Sequence, residues 1–89
     1  MAVLLITYDL NAPGKDYNDL LTTIRSYDWA RLSESSYAIG TNASPQAIFD
    51  KLQPYLDRND NLYIITLKKP YAGYGPKEVN DWLERNLPY

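Results

Sequence analysis

Val3 to Leu10 is an almost unbroken apolar run, and it constrains the fold more than any other stretch of the chain. Side chains alternate across a strand with period two, so Leu4, Ile6, Tyr8 and Leu10 share one face while Val3, Leu5 and Thr7 share the other. A strand that is apolar on both faces belongs in the middle of a sheet with both sides covered. The run ends in Tyr8-Asp9 before the breaker Asn11-Ala12-Pro13-Gly14, which places a carboxylate at the end of a buried strand. Such an end is a common seat for chemistry or metal binding, so Asp9 is the first candidate site.

The rest of the chain alternates in type. Tyr17, Leu20, Leu21, Ile24 and Tyr27 recur at helical spacing and predict a helix over about Lys15 to Ser26. Trp29 to Leu32 and Ser35 to Thr41 read as a hairpin turning at Ser33-Glu34. Ser44-Pro45 is a helix start, with Ser44 as cap and Pro45 at the first helical position, where its missing N–H costs nothing. Pro54 should end or kink that helix. Leu62 to Leu67 is a fourth strand, entered through the polar turn Asp57 to Asn61 and expected beside the first. Pro76 opens a third helix carrying Val79, Trp82, Leu83 and Leu87 on one stripe.

Strand, helix, strand, strand, helix, strand and a final helix is the split βαβ pattern of an α+β, ferredoxin-like fold: a four-stranded antiparallel sheet plus an extra C-terminal helix. The 89 residues make one domain, spanning 1–89. The two connecting helices cover one sheet face. The other face is expected to be covered by the C-terminal helix, by a second subunit, or by both.

Composition narrows the function. The chain has no histidine and no cysteine, which removes the usual general base near neutral pH, thiol nucleophiles, disulfides and zinc thiolate sites. A net charge of −2 gives no global attraction to nucleic acid, so such binding needs a local patch. The apolar start lacks a basic leader and is too short to span a bilayer, so a cytoplasmic protein without membrane contact is expected.

Three segments in order resemble the Cas2 family of CRISPR-associated proteins and its shorter stand-alone, VapD-like relatives. They are Ile6-Thr7-Tyr8-Asp9-Leu10, the hairpin Arg31 to Tyr37, and Asp60-Asn61-Leu62-Tyr63-Ile64-Ile65, which together reach across about two thirds of the chain. The resemblance implies a ferredoxin-like homodimer. It also implies that Asp9 occupies the place of an aspartate tied, in some members, to metal-dependent nuclease activity, whereas other members act as dimeric scaffolds for an integrase and DNA. The chain departs from the family in having only Lys15 and Arg25 as basic residues in its first helix, and a C-terminal helix where many members exchange a strand.

The expected function is therefore a homodimeric binding or scaffold module, associated with nucleic acid and without robust catalysis. The alternatives are a divalent-metal-dependent endonuclease and a protein-binding regulator or toxin-like module. In the nuclease reading, Asp9 from each subunit would meet its twin across a two-fold axis and hold Mg²⁺ or Mn²⁺. Within a single chain, the plainer role for Asp9 is to accept backbone N–H groups from the following turn. For nucleic acid the candidates are Arg31, Ser33 and Ser35 at the hairpin, and Lys68, Lys69, Tyr71 and Tyr74 in the glycine-containing connector, the one local mix of positive charge and aromatic rings. Pro13-Gly14-Lys15 resembles the tail of a phosphate loop but lacks its first glycine and its Ser or Thr, which leaves a helix-start role with, at most, a weak anion contact.

Overall fold

The computed structural model describes residues 1–89. Eight segments follow one another: β1 (Ala2–Asp9), α1 (Asn18–Ile24), β2 (Asp28–Ser33), β3 (Ser36–Thr41), α2 (Pro45–Leu52) with a 3-10 turn at Gln53–Tyr55, β4 (Asn61–Leu67) and α3 (Lys77–Asn86). The four strands form one antiparallel sheet in the order β2-β3-β1-β4. As its apolar faces require, β1 is internal, pairing Leu4 with Ile39 on one side and with Thr66 on the other. The strands β2 and β4 are the two edges.

On one face Leu4, Ile6, Tyr37 and Ile39 meet Leu20 and Ile24 of α1 and Ile48 and Leu52 of α2 in the main core. The second face is covered by α3. Val3, Ala30 and Ala38 form a floor of small and medium side chains on which Trp82, Leu83 and Leu87 rest. Alanines at positions 30 and 38 let the helix come close to the sheet, and burying each of its three large side chains contributes about 1.5–3 kcal/mol. Gly40 continues this small stripe, and a Cβ there would lie 2.6 Å from the Met1 Cε that packs over it.

That cover is incomplete. At the β4 side of the same face Tyr63 and Ile65 stay 65% and 51% exposed, opposite Thr7 and Leu5 of β1. The expectation that a C-terminal helix covers the second face thus holds for the β2–β3 half and for the Val3–Leu67 end of β1 and β4, and not for the stretch around Tyr63 and Ile65.

Local signals decide most boundaries. Ser44 Oγ accepts the Ala47 N–H at 3.1 Å, and Pro45 opens α2. Pro54 lies in the 3-10 turn immediately after α2, where its missing N–H ends the regular helix. Two expectations shift. The first helix begins at Asn18 rather than Lys15, because residues 12–15 form a turn closed by Lys15 N–H to the Ala12 carbonyl, with Gly14 at φ 77°, a left-handed conformation suited to glycine. The hairpin turns at Glu34-Ser35 rather than Ser33-Glu34, since Ser33 pairs with Ser36 after an irregularity between Arg31 and Ser33.

Candidate functional site

Asp9 ends β1 with its carboxylate exposed and accepting no hydrogen bond. The role of tying the following turn, expected of Asp9, belongs to Asp60. Asp60 Oδ1 accepts the Asn11 N–H at 2.6 Å and Oδ2 accepts the Asp57 N–H at 2.8 Å, while the Tyr17 hydroxyl is shared between the two oxygens at 2.8 and 2.7 Å. Desolvation opposes the charge on Asp60, but the amides of Asn11 and Asp57 and the Tyr17 hydroxyl outweigh it, and its pKa is lowered below the ordinary carboxylate value. Tyr17 is raised in turn, by desolvation and by its bond to the Asp60 carboxylate. The carboxylate at 60 is thus structural, and the carboxylate at 9 is free.

Being of the same parity as Val3, Leu5 and Thr7, Asp9 faces the α3 side and stands at the margin of its uncovered half. It lines a shallow cavity of about 190 Å³ with Thr7, Tyr8, Asn61 and Tyr63. No group of three His, Cys, Asp or Glu side chains converges anywhere in the chain. Magnesium is held through one or two carboxylates together with substrate phosphates and water, and Asp9 is the one carboxylate that lines this cavity.

The hairpin candidates are largely engaged with one another. Ser33 and Ser36 hydroxyls bond at 2.6 Å, the Ser35 N–H bonds to Ser33 Oγ at 3.2 Å, and Arg31 Nε donates to the Ser33 carbonyl at 3.2 Å. Arg31 and Arg25 both lie against the Tyr37 ring, and Arg25 also donates to the Tyr37 hydroxyl at 2.7 Å and covers Trp29. Sequence reading did not single out Arg25 or Trp29 as a pair with Arg31. They are two to six positions apart, but the contact depends on α1 lying over β2 and β3.

The connector residues are held against α3. Lys69 pairs with Glu84 at 3.3 Å and covers the Tyr89 ring, and the Tyr71 hydroxyl reaches the Asn80 carbonyl at 3.3 Å and Glu84 at 3.4 Å. Desolvation and the neighbouring Glu84 raise the Tyr71 pKa. Lys68 and Tyr74 stay exposed. Leu32 of β2 shares a small cavity with Tyr71 to Pro76, so the two groups of candidates are neighbours across the α3 side. The cation at Lys15 stacks on Tyr17, 5.5 Å from the ring centroid, and the first amide of α1 is taken by Asp16 Oδ1 at 2.8 Å. These two contacts give the segment after Gly14 a helix-start role.

The largest cleft of the molecule, about 510 Å³, runs between β2 and α3. Both tryptophans of the chain line it. Trp82 is buried beneath α3 and donates Nε1–H to Asp28 at 3.0 Å, whereas Trp29 is 42% exposed. Sequence reading placed Trp82 in the core, which is correct, without reaching the cleft at its side. No helix is long and apolar enough to cross a membrane. No family model and no solved structure matches the chain.

Proposed function

We propose that this chain is a Cas2-like, ferredoxin-like binding or scaffold module that works as a homodimer, associates with nucleic acid and lacks robust catalysis. The fold part of this reading is supported by two helices on one face of the sheet and by the strand order, which read from the other edge is β4-β1-β3-β2. The observation that carries the dimer is the open half of the α3-side face. Tyr63 and Ile65, both more than half exposed, stand beside Leu5 and Thr7, and the β4 edge next to them has no charged residue, proline or irregularity from Asn61 to Leu67. Edge strands of monomeric proteins are ordinarily guarded by such features. A chain with net charge −2 meets its copy most readily over an uncharged strip.

Light scattering after size exclusion tests the dimer. The expected result is twice the 10.3 kDa chain mass for the wild type and a single chain for Ile65→Lys. A wild type that stays monomeric at its solubility limit overturns the reading. For nucleic acid, affinity measured across salt should fall steeply as the concentration rises, and its absence at low salt removes that part. The endonuclease reading, with Asp9 from each subunit and Mg²⁺ or Mn²⁺, has one observation in its favour: the Asp9 carboxylate is free and borders the open face. Cleavage of labelled RNA and DNA by the wild type with either ion, lost in Asp9→Ala, would establish it. Cleavage unchanged in Asp9→Ala would remove Asp9 from the mechanism.

A further inference from the structure

The two sheet edges differ in how they are defended. β2 carries Asp28 and Arg31 and loses its register after Arg31, and charges and irregularities both turn a strand edge away from partners. β4 runs uncharged from Asn61 to Leu67, in unbroken register with β1. A second apolar surface borders this edge, in addition to the one at Tyr63 and Ile65. Pro45, Gln46 and Phe49 of α2 line a groove of about 350 Å³ with the consecutive residues Leu62, Tyr63 and Ile64. Consecutive strand residues point to alternate faces, so a groove that reaches all three runs along the unpaired edge itself. Phe49 is only partly buried there.

We propose that a second copy joins through this edge, β4 against β4, antiparallel about a two-fold axis at Ile64, so that the two sheets become one of eight strands. This rests on the homodimer reading and adds its geometry. Symmetry restricts the register. A two-fold axis normal to the sheet leaves each side chain on its own face, and facing residues of paired strands share a face, so facing positions must be both odd or both even. Centred on Ile64, all seven residues of β4 find partners. Moving the centre to Tyr63 or to Ile65 leaves residues at one end of each strand unpaired.

In the centred register Tyr63 of each copy faces Ile65 of the other on the α3 side, an aromatic and β-branched pair formed twice. On the α2 side Ile64 faces its twin, and Thr66 of the incoming strand lies opposite Leu62, beside the Phe49 groove. Charge agrees at the ends, where position 68 of one copy faces position 60 of the other. Lys68 is exposed and makes no ion pair. It arrives at a turn whose Asp57 and Asp60 outnumber Arg58, so each end of the joint brings opposite charges together.

The same joint positions Asp9. Asp9 pairs with Asn61, three places from the axis, and the two β1 strands stand three strand spacings apart across the joint. With about 3.4 Å per residue and about 4.8 Å per strand, the two Asp9 backbones are about 25 Å apart. One ion held by both carboxylates therefore requires a different dimer.

The chain has no cysteine, so single-cysteine variants of the full chain test the register. Ile64→Cys faces its twin at a Cα separation of about 4.5–5.5 Å, within disulfide range, and should give a linked dimer with oxidised glutathione on a non-reducing gel. Tyr63→Cys and Ile65→Cys each lie about 8 Å from their own twins, beyond the roughly 7 Å limit. Neither should link alone, whereas a mixture of the two, one carrying a mass tag, should. Tyr74→Cys, fully exposed in the connector before α3, sets the level of random linking. Phe49→Lys should weaken the dimer about tenfold or more in light scattering, with an unchanged circular dichroism spectrum, while Trp29→Ala at the β2 edge should leave it intact. A wild-type dimer in which Ile64→Cys stays unlinked, Tyr63→Cys links alone, or Phe49→Lys changes nothing overturns this arrangement and leaves the homodimer standing. A wild type that stays monomeric at its solubility limit overturns both.

Discussion

Replacing Asp60 by alanine removes the acceptor for three donors that come from separate parts of the chain. The Asn11 amide belongs to the β1–α1 loop, the Tyr17 hydroxyl to the start of α1, and the Asp57 amide to the turn before β4. Hydrogen bonds to a charged group contribute roughly 1.5–3 kcal/mol each when buried. Here the donors sit close to the surface, where water can replace the lost acceptor, so we expect a total loss of about 2–3 kcal/mol. For a domain of this size that corresponds to a melting temperature lower by about 8–24 °C. Asp60→Asn should cost about 1–2 kcal/mol, since one oxygen is kept and the new NH₂ confronts a backbone N–H.

The pH dependence has a definite sign. Asp60 has a lowered pKa in the folded state, so its contribution is complete above the ordinary value of 3.8 and is lost as the pH falls through the lower folded value. Urea unfolding followed by tryptophan fluorescence should therefore give a constant gap between wild type and Asp60→Ala from about pH 5 to 8, narrowing below about pH 4. A loss under about 0.5 kcal/mol at neutral pH, or a gap that persists undiminished in acid, would refute the assignment of a structural carboxylate.

Asp9→Ala, by contrast, should change stability by less than about 0.5 kcal/mol in the same assay, because the Asp9 carboxylate accepts no hydrogen bond. Ser44→Ala should cost about 1 kcal/mol, readable as a lower urea midpoint, through loss of the bond to the Ala47 amide. Gly14→Ala should cost about 1 kcal/mol from the positive φ alone, since a Cβ there meets no atom within 4 Å. Ile24→Ala, fully buried between α1 and the sheet, should cost about 2–5 kcal/mol and lower the melting temperature accordingly.

Much of the backbone was legible in the chain because its signals are local. Ser44-Pro45 and Pro54 bracket α2 through capping and a missing N–H, and both act within a few residues of where they stand. Alternation of apolar residues identifies β1 as internal for the same reason, since its two faces can be read from eight consecutive letters. The boundaries that moved are those where a turn competes with a helix. Residues 12–15 close on themselves, and α1 waits for Asn18.

What sequence determined by itself was the succession of strands and helices, the central place of β1 and the lack of histidine and thiol chemistry. Which carboxylate is structural and which is free was decided only by tertiary structure, because the Asn11 amide finds its acceptor 49 positions away at Asp60. The same holds for the cleft between β2 and α3. Trp82 reaches Asp28 across 54 positions, and α3 takes the β2–β3 half of the second face because Ala30 and Ala38 leave room for it there. Periodicity states that a face is apolar. Only the packing of small side chains against large ones determines which half of it a helix covers and which half, with Tyr63 and Ile65, stays open.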